Sequence, residues 1–67
     1  MRQIFIPLTS RSGSRLWLNP RFVATMYGKS EFTCLWIIGE RTAIEVQESP
    51  DRVIELSLEL EDEEVMQ

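Results

Sequence analysis

Chemistry on a protein surface needs donors, acceptors or nucleophiles at close spacing, and this chain concentrates them between Thr9 and Arg15. Hydroxyls at positions 9, 10, 12 and 14, a glycine at 13 and guanidiniums at 11 and 15 are donors of the kind that hold phosphate oxygens, bidentately or through exposed backbone amides. Arg11, Ser12, Gly13, Ser14 and Arg15 are therefore the candidate anion-binding residues, with a phosphate-bearing small ligand or nucleotide as the class they would take. The Gly-x4-Gly-Lys spacing of a nucleoside-triphosphate loop is absent. The same residue types also make an ordinary solvated hairpin tip.

Covalent catalysis is poorly supplied. The chain has no histidine, and Lys29 and Cys34 are its single lysine and cysteine. The serines at 10, 12, 14 and 30 thus lack an imidazole base, and Cys34 lies in the most apolar stretch, where a small buried hydrophobe is the expected role. The carboxylates between Glu55 and Glu64 read as a solvated acidic surface that keeps the chain soluble or meets a basic partner. One cysteine excludes an internal disulfide, and the lack of histidine argues against a tetrahedral zinc site. The chain is expected to be non-enzymatic, with no metal and no cofactor.

At 67 residues and 7.8 kDa the chain has room for one domain. A domain this short buries only about 60% of the surface its unfolded chain exposes. With no disulfide or metal to help, self-association is the expected stabiliser. The net charge of −4 hides an uneven distribution. Residues 1–30 hold four arginines and Lys29 with no acid, a charge of +5, whereas residues 31–67 hold two arginines against eleven acids, a charge of −9. Arg11, Arg15, Arg21 and Lys29 could follow a phosphodiester backbone while Trp17, Phe22 or Tyr27 stack on bases. A pI near 4.6 runs against that footprint, so nucleic-acid binding is only a weak second alternative. No run of about 18 apolar residues is present to span a bilayer, and a lone thiol suits a reducing compartment. Membrane insertion is not expected, and a cytoplasmic location is.

The elements that must position these residues are legible as hydrophobic periods. Ile4, Ile6 and Leu8 alternate with Phe5 and Pro7, the pattern of a strand that Pro7 confines to a sheet edge. The polar turn Thr9–Ser14 returns the chain into Arg15–Leu18, with Leu16 and Leu18 on one face and Trp17 on the other. Asn19-Pro20 ends that strand, a third strand begins with Phe22 and Val23, and Gly28–Glu31 reads as a turn. Phe32–Ile38 reads as the centre of the sheet, covered on both faces. A three-residue turn at Gly39–Arg41 leads to a strand over Thr42–Gln47, with Ile44 and Val46 inward. Ser49, Pro50 and Asp51 then form a helix start, and Val53, Leu56 and Leu60 a seam facing the sheet. A strand is the competing pattern there, because Ile54, Leu56, Leu58 and Leu60 alternate with polar residues. The helix is assigned to residues 50–61 and a flexible acidic tail to 62–67.

The order Ile6-x-Leu8, Leu16-x-Leu18-Asn19-Pro20, Phe22-Val23, Thr33-x-Leu35, Gly39 and Val46-x-Glu48-Ser49-Pro50 with Val53 resembles the small flagellar and swarming-motility proteins called FlbD or SwrD, over residues 4–54. The resemblance implies a short bacterial cytoplasmic chain of a few strands and a C-terminal helix; the longer, more basic Ser10–Ser14 turn, the two tryptophans and the acidic tail depart from that pattern and leave a phage-borne relative with a different partner open.

The resulting expectation is an α+β, β-rich single domain over residues 1–61. About five antiparallel strands form one curled or barrel-like sheet with a C-terminal helix. If Trp36 fills the core, Trp17 is left at the surface, where an unburied tryptophan marks an interface. Phe5, Pro7, Trp17 and Arg21 are the candidate interface residues. The expected task is non-catalytic protein–protein interaction as a homo-oligomer, resembling the motility family, with a second, larger protein as a further partner. The alternative is an oligomeric phosphate binder acting through the Thr9–Arg15 turn.

Overall fold

The computed structural model describes residues 4–65, with side-chain surroundings through Leu60. The alternation of the N-terminal residues is realised as a hairpin. Strand β1 (Ile6–Thr9) pairs antiparallel with β2 (Arg15–Leu18), setting Ile6 opposite Leu18, Pro7 opposite Trp17 and Leu8 opposite Leu16. Period-2 geometry sends Ile6, Leu8 and Leu18 into the core and Trp17 to the other side.

Asn19-Pro20 ends β2 as expected, but the chain does not pass directly into a strand. Pro20–Phe22 form one 3-10 turn, with Asn19 Oδ1 accepting from the Arg21 amide at 3.0 Å. Proline at the first helical position suits this turn, since its missing N–H would have no partner there. Strand β3 therefore starts at Val23, not Phe22, and runs to Gly28.

Strands β3, β4 (Thr33–Ile37) and β5 (Ile44–Val46) form an antiparallel sheet with β4 in the middle, the central position anticipated for it. Thr33, Leu35 and Ile37 alternate on its core side. Trp36 belongs to the other side, is only half-buried and is absent from the core; its Nε1 donates to the Tyr27 hydroxyl at 3.3 Å. Neither tryptophan, then, fills the interior. The loop before β5 extends over residues 38–43, longer than the three-residue turn expected, with Gly39 at φ +87° supplying the left-handed residue. Val46 is buried and Ile44 half-buried, both on the inward face.

The expectation of one curled or barrel-like sheet is corrected. The five strands divide into a two-stranded and a three-stranded sheet, and no barrel closes. The physical reason lies at the ends: the 3-10 turn separates β2 from β3, and neither strand pairs with the other. The two sheets meet at a single bridge, Ser10 opposite Val46. It is flanked by Arg11 N–H to the Glu45 carbonyl at 3.0 Å and Gln47 N–H to the Thr9 carbonyl at 2.8 Å.

The Ser-Pro-Asp signal yields helix α1 (Pro50–Val65). Ser49 Oγ accepts from the Arg52 amide at 3.2 Å, and its carbonyl accepts from the Val53 amide at 3.0 Å. The helix passes the expected end at Glu61 and covers residues 62–65 of the segment assigned to a flexible tail; Met66 and Gln67 lie outside the described residues. Its Val53 and Leu56 join Ile6, Leu8, Leu18, Leu35 and Val46 in one core, with Leu60 packed at its margin. The competing alternation resolves into two stripes of one helix. Val53, Leu56 and Leu60 face in, whereas Ile54 and Leu58 are 46% and 51% exposed.

Candidate interaction surface

The Ser10–Ser14 tip is built from its own donors. Gly13 N–H donates to the Ser10 carbonyl at 2.9 Å, with Gly13 at φ +104°. Ser14 N–H donates to Ser10 Oγ at 3.0 Å, and Ser10 N–H returns to the Ser14 carbonyl at 2.7 Å. The Ser10 and Ser12 hydroxyls share a further hydrogen bond of 3.0 Å. The Ser10, Gly13 and Ser14 amides are thus taken by oxygens of the turn itself, and the Arg11 amide by the Glu45 carbonyl, which leaves few to cradle an anion.

The two guanidiniums of the anion-binding set serve different partners. Arg11 lies 3.8 Å from the Phe32 ring centroid and pairs with Glu45 at 3.3 Å, both charges well exposed. The cation–π contact is worth roughly 0.5–1 kcal/mol and the surface ion pair about 0–1 kcal/mol. Arg15, opposite Thr9 on β2, lends its charge to Glu48 instead. An open depression of about 500 Å³ beside the tip is lined by Arg11 and Ser12 from the set, together with Glu45, but not by Gly13, Ser14 or Arg15. A phosphate entering it would have to displace Glu45 from Arg11.

Glu48 is the structural residue that sequence reasoning left unassigned. Its carboxylate accepts from the Thr9 amide at 2.8 Å, while its carbonyl accepts from the buried Thr33 hydroxyl at 2.6 Å. One residue therefore ties β1, β4 and the helix entry together. Desolvation by burial alone would raise its pKa. Hydrogen bonds from the Thr9 amide and hydroxyl and from its own amide, with the Arg15 charge, outweigh that and hold it below the usual 4.5. An acid directly before the Ser49 cap was the available signal, but Thr9 is 39 residues distant.

The outer face of the hairpin differs in kind. Trp17 is 58% exposed, with Pro7 directly opposite. Exposed Phe5 lies two residues before Pro7, and exposed Arg15 two residues before Trp17. The structure thus gathers three of the four expected interface residues on one face, while Arg21 sits on the neighbouring 3-10 turn. Cys34 is buried, as expected for a small hydrophobe, on the Trp36 side of β4 and outside the main apolar cluster. Among the described residues, no cluster of three or more His, Cys, Asp or Glu side chains is arranged to hold a metal ion, and no helix is long and apolar enough to cross a membrane.

The architecture and surface together define a small, strand-rich α+β module. No protein-family model matches the chain, and neither a curated protein nor a solved structure shows significant similarity to it.

Proposed function

We propose that this chain is a non-catalytic protein-binding module that works as an assembly of identical copies, in the manner of an adaptor resembling the small motility proteins. The observation that carries this reading is Trp17. A large amphipathic side chain, 58% exposed on a rigid strand opposite a proline, offers extensive contact area at little cost in conformational entropy. The small core supports the same reading, since among the described residues seven side chains form its buried apolar cluster, and docking of a second surface would add burial to a chain of this size. The Ser10–Ser14 turn supports it too: its Gly13 and Ser14 amides are taken within the turn and Arg11 is paired with Glu45, which favours shape and apolar surface as the recognition features.

Light scattering coupled to size-exclusion chromatography tests the proposal. A mass that is a multiple of 7.8 kDa at micromolar concentration is expected, falling to the single-chain value in Trp17→Ser. A wild-type chain that elutes as a clean monomer at that concentration overturns it.

A further inference from the structure

The counter-surface for Trp17 is still to be found, and helix α1 offers it. Its Ile54 and Leu58 form an exposed apolar ridge, four residues apart on one face. With 3.6 residues per turn, this ridge lies roughly 150° around the helix from the Val53–Leu56–Leu60 seam. Exposed Asp51 and Glu55 run beside it, and because Arg52 pairs with Glu55 at 3.0 Å, Asp51 carries the uncompensated negative charge of this edge. The hairpin face presents the converse: an aromatic surface with exposed Arg15 beside Trp17.

These two surfaces cannot meet within one chain. Val53 and Leu56 pack in the core with Ile6, Leu8 and Leu18 of the hairpin's inner face, so the hairpin's own thickness separates its outer face from the helix ridge. The surfaces are apolar on both sides and opposite in charge, acidic on the helix and basic on the hairpin.

We infer that the Ile54–Leu58 ridge of one copy docks on the Trp17 face of the next, with Arg15 facing Asp51 across the join. The contact is head-to-tail: each copy uses two different surfaces, and copies add until a ring closes or a filament extends. This inference rests on the self-assembly proposed above and specifies its geometry. Charge complementarity sets the register, while Trp17, Ile54 and Leu58 supply the apolar contact.

A mixing experiment tests the geometry apart from assembly itself. Trp17→Ser removes the hairpin surface, and the double substitution Ile54→Ser, Leu58→Ser removes the helix surface. Each variant alone is expected to remain a monomer, with the dissociation constant raised about thirtyfold or more. Mixed in equal amounts they retain one intact surface each, so a heterodimer of twice the protomer mass is expected by native mass spectrometry. If the helix variant still assembles as wild type does, or the mixture stays at the protomer mass, the head-to-tail contact is wrong and self-assembly stands. A monomeric wild type overturns both.

Circular dichroism establishes that each variant is folded. Arg15→Glu and Asp51→Lys provide a second pair on exposed positions should the double variant fail to fold. Each reversal is expected to weaken assembly about tenfold, and combining both in one chain to recover most of that loss. Failure of the combined variant to recover overturns the assigned register.

Discussion

The inner and outer faces of the β1–β2 hairpin share a backbone and differ in almost everything else. Ile6, Leu8 and Leu18 on the inside are at most 8% exposed, whereas Trp17 on the outside is 58% exposed. Alternation along two short strands thus separates a face that holds the domain together from one that contributes little to its stability. A residue's apolar character does not by itself tell which of these it serves. Leucine and tryptophan are both hydrophobic, yet only the leucines are covered by the helix and the three-stranded sheet.

The sharpest way to break this contrast is to alter each face and compare stability with assembly. Leu8→Ala leaves a cavity in the core and should cost about 2–5 kcal/mol, a large part of the roughly 3–10 kcal/mol expected for a domain of this length. Urea unfolding measures it. Loss of well under 1 kcal/mol would mean that the inner face is not the core. Next is Glu48→Gln, which keeps shape while removing the charge that accepts the Thr9 amide. A destabilisation of about 1–3 kcal/mol is expected, visible as a lowered thermal midpoint.

The same carboxylate sets an acid limit. Because its pKa is lowered in the folded state, Glu48 contributes its stability above about pH 4.5, and this contribution disappears as pH falls from there through the lower folded value. The gap in melting temperature between wild type and Glu48→Gln should therefore close on acidification. A gap that is constant from pH 7 to pH 3 would rule out that linkage. Smaller again is Gly13→Ala, which places a side chain at φ +104° and should cost roughly 1 kcal/mol in chemical unfolding. Trp17→Ser completes the series, with a change in the monomer's unfolding free energy of within about 0.5 kcal/mol despite its loss of assembly. A substantial loss of monomer stability would place Trp17 with the inner face after all.

The amino-acid sequence made the hairpin, the central strand and the helix start legible because each follows from local rules: alternation, an apolar run bounded by turns, and Ser-Pro-Asp. It also placed Trp17 outside. The division of the sheet was not legible, because the Ser10–Val46 bridge that joins the two sheets is made by residues far apart in the chain. Glu48 was obscure for the same reason. The helix presented a different difficulty. Ile54 and Leu58 interrupt the 3.6-residue pattern with a second stripe, and adding them to Leu56 and Leu60 produces the alternation of a strand. For the tip, residue types suggested an anion site, but composition alone could not show that Ser10 consumes the amides or that Arg11 turns to Glu45 and Phe32.

The Ser10–Val46 bridge has a consequence for how the domain breathes. Hydrogen exchange proceeds through cooperative openings, and here the amides of Thr9, Arg11 and Gln47 all donate across one seam between the two sheets. Opening at that seam exposes all three together, while the hydrogen bonds inside each sheet stay intact. Their shared exchange rate would serve as a clock for separation of the hairpin from the rest of the domain.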